Sequence, residues 1–170
     1  MTRAGTVAIR PLRPGETAIV ATLFERLGPW SRRMRFGGAK PRLSDLELTA
    51  LADIDARRHA LVGFVAGDPD PAGIARLVVD ASDHTIAEVA CAIADRYQGL
   101  GVGTALMRAL VADARAAGMQ RLRATMVAEN RHALALLKKV AILEEIELAA
   151  GELDVIATIG AMPYATPRAA

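Results

Sequence analysis

The sequence predicts one α/β domain, a central mixed β-sheet of about seven strands flanked by about four helices. Three observations carry that expectation. The chain has 170 residues without an internal repeat or an interdomain linker, which suits a single domain. Its apolar periodicity alternates between strand and helix in the order β-α-α-β-β-β-α-β-α-β-β. A glycine-rich turn, Gln98-Gly99-Leu100-Gly101-Val102-Gly103, sits between a strand and a helix.

Taken in order, Thr6 to Leu12 reads as a short strand stopped by Pro11 and the turn Pro14-Gly15. Glu16 to Leu27 has helical spacing, with Ile19, Val20, Leu23, Phe24 and Leu27 on one side, and Gly28-Pro29 ends it. The basic stretch from Ser31 to Arg42 reads as a loop with at most one helical turn. Ser44-Asp45-Leu46-Glu47 is a capping-box pattern that opens a helix to about Ile54. From His59 the pattern becomes strand. Two runs around the turn Asp68-Pro69-Asp70-Pro71 form a hairpin, and a third run, Thr85 to Asp95, leads into the glycine turn. A helix follows from Val102 to about Ala117, closed by Gly118. A strand from Arg121 to Ala128, a helix from Asn130 to Val140 and strands near 142–148 and 153–159 complete the order.

Composition bounds the function. Apolar residues make up 52% and aromatics only 4%, so Ala, Val, Leu and Ile must fill the core. A net charge of +2, spread among many acids, gives no footprint for a nucleic-acid partner. Cys91 is the only cysteine, so no intrachain disulfide forms, and a cytoplasmic location is expected. No run approaches the roughly 18 apolar residues of a membrane helix, and the N-terminus carries no signal-like stretch. His59, His84 and His132 lack metal-ligand spacing; they read as surface or loop residues, and no metal is expected.

The glycine turn carries the chemistry. Glycines let backbone N–H groups approach an anion closely, and the first N–H groups of a helix lack internal partners at the positive end of its dipole. Together they make a diphosphate cradle that needs no lysine. A dinucleotide fold would want G-x-G-x-x-G and an acid about 20 residues on; the spacing here is G-x-G-x-G, followed by Arg121-Leu122-Arg123. No Gly-Lys-Ser/Thr is present for a nucleoside triphosphate loop. A tight turn without a ligand is the plain alternative.

At this point the sequence resembles the Gcn5-related N-acetyltransferase (GNAT) superfamily. Gln98, Gly101 and Gly103 meet its Gln/Arg-x-x-Gly-x-Gly/Ala motif, between a strand and a helix and ahead of a strand-Asn130-helix unit. The resemblance covers roughly residues 6 to 159 and implies acetyl-CoA as co-substrate and an amine as acceptor. It implies that the loop backbone from Gln98 through Gly99, Leu100, Gly101, Val102 and Gly103 to Thr104 holds the pyrophosphate. Cys91, Ala92 and Ile93 fall where the family's strand pairs with the pantetheine arm, and Asn130 where an asparagine often touches coenzyme A. Asn130 also reads as a plain helix N-cap. The domain is expected to span residues 1–160, with 161–170 a flexible tail.

Acetyl transfer to an amine needs a base, because a free lysine with a pKa near 10.4 is almost wholly protonated at pH 7. Glu88 is the candidate, lying in an otherwise apolar strand where burial would raise its pKa. A solvated edge carboxylate is the alternative. Strand alternation puts it on the face of Ala90 and Ala92, opposite Cys91. The backbone N–H of Ile93 is the candidate oxyanion donor. Cys91 has no adjacent base and reads as a small buried hydrophobe rather than a nucleophile. Leu137 stands where the family often has a tyrosine acid.

The first half narrows the resemblance. Ser31, Arg32, Arg35 and Phe36, then Ala87, Glu88 and Val89, are similar to bacterial Pat-type protein lysine acetyltransferases, which implies Glu88 as base and a protein lysine as acceptor. Relatives of that type often carry a cyclic-nucleotide or synthetase-like domain, which these 170 residues leave no room for. The basic residues Arg32, Arg33, Arg35, Lys40 and Arg42 could meet an acidic protein surface or a coenzyme phosphate, or simply be solvated. A small amine acceptor, a non-catalytic acetyl-CoA-binding module and a nucleotide-binding regulatory domain remain as alternatives.

Overall fold

Seven strands hydrogen-bond into one sheet in the order β1-β2-β3-β4-β5-β7-β6 in the computed structural model, which describes residues 5–160. The strands are β1 (Val7–Pro11), β2 (Arg58–Val65), β3 (Gly73–Val79), β4 (Ile86–Ile93), β5 (Arg121–Val127), β6 (Ile142–Ala149) and β7 (Glu152–Thr158). All neighbours are antiparallel except β4 and β5. That one parallel step follows from the connection, since a helix between two strands returns the chain to the same end of the sheet.

The expected mixed sheet is present, with five α-helices rather than about four: α1 (Thr17–Glu25), α2 (Pro29–Phe36), α3 (Asp45–Leu51), α4 (Val102–Ala116) and α5 (Arg131–Lys138). The added helix corrects the reading of residues 31–42 as a loop. Gly28-Pro29 does not merely end α1; it opens α2, with Gly28 as N-cap and Pro29 in the first turn, where its missing N–H costs nothing. Gly37 closes it in a left-handed conformation. The capping box at Ser44 forms as expected: the Ser44 hydroxyl accepts from the Glu47 N–H and the Glu47 carboxylate accepts from the Ser44 N–H.

The sheet separates two cores, because alternate residues of each strand point to opposite faces. The larger core takes Leu61, Ala75, Leu77, Ala87, Val89 and Leu122 against Leu106, Leu110 and Leu137 of α4 and α5. The smaller takes Ala60 and Val62 with Leu12, Val20 and Ala52, next to α1 and α3. Register aligns Ala60, Arg76 and Ala90 in one row of that second face, and Val62, Ile74 and Ala92 in the next. The tail expected at 161–170 lies outside the described residues.

Candidate active site

The pairing between β4 and β5 fixes the site. It runs only from Ile86 to Glu88 on β4, while the β3 pairing continues to Ile93. Beyond Glu88 the two strands part, leaving a wedge-shaped opening in the sheet. The Ala94 N–H bonds to the Ala72 carbonyl and the Asp80 N–H to the Ile86 carbonyl, so the even-numbered residues of β4 spend their backbone groups on β3. The odd-numbered Val89, Cys91 and Ile93 therefore turn their backbone edges toward the opening, where no strand meets them. Such an edge accepts an extended ligand as an added strand. Of the three residues expected to line it, Cys91 and Ile93 do so by their backbone. Ala92 does not: its backbone faces β3, a consequence of the unshifted register.

The glycine loop closes one end of the opening. Gly99 and Gly101 hold φ of +73° and +93°, and nothing lies within 4 Å of a Cβ built on either, so the loop leaves an open hollow. Gly101 is the N-cap of the 15-residue α4 and offers no side chain to the first turn. The N–H groups of Val102, Gly103 and Thr104 thus start a helix with no capping side chain, the arrangement that suits an anion. An added Cβ at Gly103 would sit 3.4 Å from both Ile93 and Leu136, an ordinary van der Waals contact, so packing alone does not demand glycine there. Leu100 packs partly on the larger core and Val102 is fully buried, which anchors the loop from beneath.

Helix α2 crosses this region from loop to α5, a bridge that sequence reasoning missed. Gln98 Nε2 donates to Ser31 Oγ at 3.0 Å and to the Ile93 carbonyl at 3.0 Å, tying the loop to α2 and to β4. At the far end Asn130 Nδ2 donates to the Met34 carbonyl at 3.4 Å. The Asn130 side chain also accepts from the Ala133 N–H at 3.1 Å, which makes the N-cap reading correct. The signal for α2 was present in Gly28, Pro29 and Gly37, the pattern of a helix with proline at its start and glycine at its end.

A second group that was read only as turn residues pins the base of the loop. Arg26 Nη2 lies 2.5 Å from Asp68 Oδ2, and the Tyr97 hydroxyl donates to the same oxygen at 2.6 Å. Arg26 beside Asp68 holds that carboxyl far below the usual range, with Tyr97 contributing. Gly28 N–H donates to Asp95, which joins the same corner to the start of α2.

Glu88 departs from expectation. It lies on the predicted face, with Ala90 and Ala92, but it is exposed, so the burial expected to make it a stronger base is missing. The physical reason is the parting of β4 from β5, which begins just past Glu88. Its register neighbour on β5 is Arg123, already forked onto Asp154. Cys91 packs against the larger core, and burial pushes its thiol up to about 12, which removes it as a nucleophile. Leu137 is buried in the same core and offers no proton to a leaving group.

The basic stretch is mostly spoken for. Arg32 lies 4.1 Å over the Phe24 ring and donates to the carbonyls of Phe24 and Pro41. Arg33 pairs with Glu129 and Lys40 with Glu47. Arg42 is exposed, and Arg35 is taken up below. His59 sits in β2 and shares a proton with Asp113 at 2.8 Å. Among the described residues no His, Cys, Asp or Glu cluster could hold a metal, and no helix is long and apolar enough to cross a membrane. The carboxylates near the end lie mainly along β6, the exposed edge of the sheet.

Comparison with known proteins agrees with this geometry. The model of the acetyltransferase (GNAT) family matches residues 22–141. The acetyltransferase PA5475 of Pseudomonas aeruginosa is 36% identical over 128 residues, covering 74% of this chain and 68% of that protein. The acetyltransferase Pat of Mycolicibacterium smegmatis is 30% identical over 152 residues, which cover 86% of this chain but only 45% of Pat. The crystal structure of the GNAT domain of S. lividans PAT superposes with a TM-score of 0.80 over 91% of each chain, at 23% identity.

Proposed function

Because the chain belongs to the acetyltransferase (GNAT) family, we propose that it moves an acetyl group from acetyl-CoA to the side chain of a protein lysine. The observation that carries this reading is the open backbone edge of β4 beside the uncapped start of α4. Residues 1–160 would form the catalytic domain, working in the cytoplasm, where a lone cysteine is at home. Protein lysine is preferred to a small amine on the similarity to Pat.

The residues present fit acetyl-CoA. The N–H groups of Gly99 to Thr104 would hold the pyrophosphate, with open space above Gly99 and Gly101, whereas the Gln98 N–H expected to join them already donates to the Asp95 carbonyl. The edges of Cys91 and Ile93 would pair with the pantetheine amides, Ala92 would line the arm through its side chain alone, and Asn130 would lie along it. Acetyl-CoA supplies an activated thioester; the chain supplies position and proton handling. Glu88, being exposed, would take the ammonium proton of the acceptor through water, leaving the nitrogen lone pair free to form the amide as the carbon–sulfur bond breaks. The Ile93 N–H faces the opening at the loop end of β4, about 17 Å along the strand from Glu88, so it would serve the pantetheine arm and not the acyl oxygen expected of it. With Leu137 apolar, the leaving thiolate would take its proton from solvent.

The burial of Leu137 also favours a second reading, a module that binds acetyl-CoA with little turnover. Incubation with labelled acetyl-CoA and a cell lysate, beside polyamines and aminoglycosides, separates the readings by label and by thiol release. Label in protein supports lysine transfer, and label confined to small amines refutes it. Binding of acetyl-CoA without thiol release for any acceptor leaves the module.

A further inference from the structure

Two arginines face the second side of the sheet without a salt-bridge partner among the described residues, although Glu88 favours the charge of both and Asp53 and Asp55 that of Arg76. Arg35, on α2, makes no hydrogen bond or ion pair among the described residues; its one polar contact is the Phe36 ring, 5.1 Å from the guanidinium carbon. Arg76, on β3, donates through Nη2 to the Ala50 carbonyl, and its Nε is buried without any partner. Burial pushes both below the ordinary arginine value. A guanidinium withdrawn from water in such a place favours an anionic partner.

Both side chains line one small, partly open cavity of about 40 Å³, whose other walls are apolar and include Phe36, Ile74, Ala90 and Ala92. That volume exceeds the roughly 10–15 Å³ that one water needs and suits a group of a few heavy atoms. The register explains the meeting. Arg76 stands opposite Ala90 on β4, two residues along the same face from Glu88. The small side chains of Ala90 and Ala92 leave the space, and α2 lays Arg35 over it. The larger core and α4 are on the other side of the sheet.

We propose that Arg35 and Arg76 form a carboxylate-binding subsite beside Glu88, so that the acceptor carries a carboxylate close to its reacting amine. This rests on the acetyl-transfer reading above. Two planar forks match one carboxylate, and the bound anion would hydrogen-bond to both guanidiniums and offset one of the two charges while its amine lies toward Glu88. The carboxylate has two sources: the α-carboxylate of an amino acid, or an acidic side chain next to a target lysine.

The test compares matched acceptors, an amino acid with its amide and a lysine peptide flanked by Glu with one flanked by Gln. The acidic member of either pair is expected to show a KM at least tenfold lower, and the pair that shows it identifies the source. Arg35→Gln and Arg76→Gln should erase that difference while leaving the KM for acetyl-CoA unchanged. Arg35→Met provides a folding control: removal of an unpaired, enclosed charge should leave Tm unchanged or higher, whereas a merely structural arginine would lower it. Calorimetric titration of the same acceptors gives the preference without turnover. A protein that turns over yet ignores the carboxylate overturns the subsite alone; one that binds selectively without thiol release keeps the subsite and overturns acetyl transfer. Faster turnover with succinyl-CoA than acetyl-CoA, lost in both variants, would put the carboxylate on the acyl donor and also overturn the proposal.

Discussion

Replacing Gly101 with alanine separates the strain of the glycine loop from its proposed role in holding a pyrophosphate. At φ +93° an L-residue is strained by about 1–2 kcal/mol, and the added methyl meets nothing within 4 Å, so no packing cost joins that strain. Gly67, in the β2–β3 turn, is a matched control with φ +86° and equally open surroundings. Each variant should therefore lose about 2–8 °C of Tm, at about 2–4 °C per kcal/mol for a domain of this size. Only Gly101→Ala places a methyl at the hollow in front of α4. Losing one charge-assisted hydrogen bond there, worth about 1.5–3 kcal/mol, should raise the Kd for acetyl-CoA about tenfold to a hundredfold. Thermal melts and calorimetric titration of both variants provide the two readings. Equal acetyl-CoA affinity in the two, at equal loss of Tm, would refute the assignment of the loop.

Glu88→Gln should lower kcat by about 10²–10⁴ with acetyl-CoA affinity retained, measured by thiol release; an unchanged kcat would remove Glu88 from proton transfer. At Gly73 an added Cβ would sit 2.5 Å from Ile93 Cδ1 and 3.0 Å from the Ala92 carbonyl. Gly73→Ala should cost about 1–3 kcal/mol in denaturant unfolding, and the double variant with Ile93→Val should recover part of that loss. The Asp68 carboxyl is depressed in the folded chain by Arg26, so its stabilisation is complete above the ordinary value of 3.8 and drains away as pH falls through and below it. Asp68→Asn should lower Tm at pH 7 and flatten the fall in Tm between pH 4.5 and 2, followed by melts across that range; Asp80 and Glu47, both held to about 2, preserve part of the slope.

The helix caps and the glycine turn were legible because their causes are local. Ser44 and Glu47 stand three residues apart, Asn130 caps the helix that follows it, and Gln98 to Gly103 need only their own glycines and the next helix to form a strand-to-helix turn. Seven strands could be read from their apolar patterning, although β6 is exposed at every position but one and buries no face. Helix α2 escaped because it is short, carries three arginines and has no buried residue; its ends are marked, but its body is held by contacts to Gln98 and Asn130, both distant in sequence.

What the sequence by itself determined is the order of the seven strands and of four of the five described helices, the glycine turn and the candidate carboxylate. Only the tertiary structure decided how far β4 follows β5 before parting from it, and with that the exposure of Glu88 and the freedom of the Cys91 and Ile93 backbone. It also decided that Arg35 and Arg76 share one cavity, because strand register and the placing of α2 depend on the packing of both cores at once. Short-range rules describe a residue's own backbone; the meeting of two charges across a sheet is a property of the whole fold.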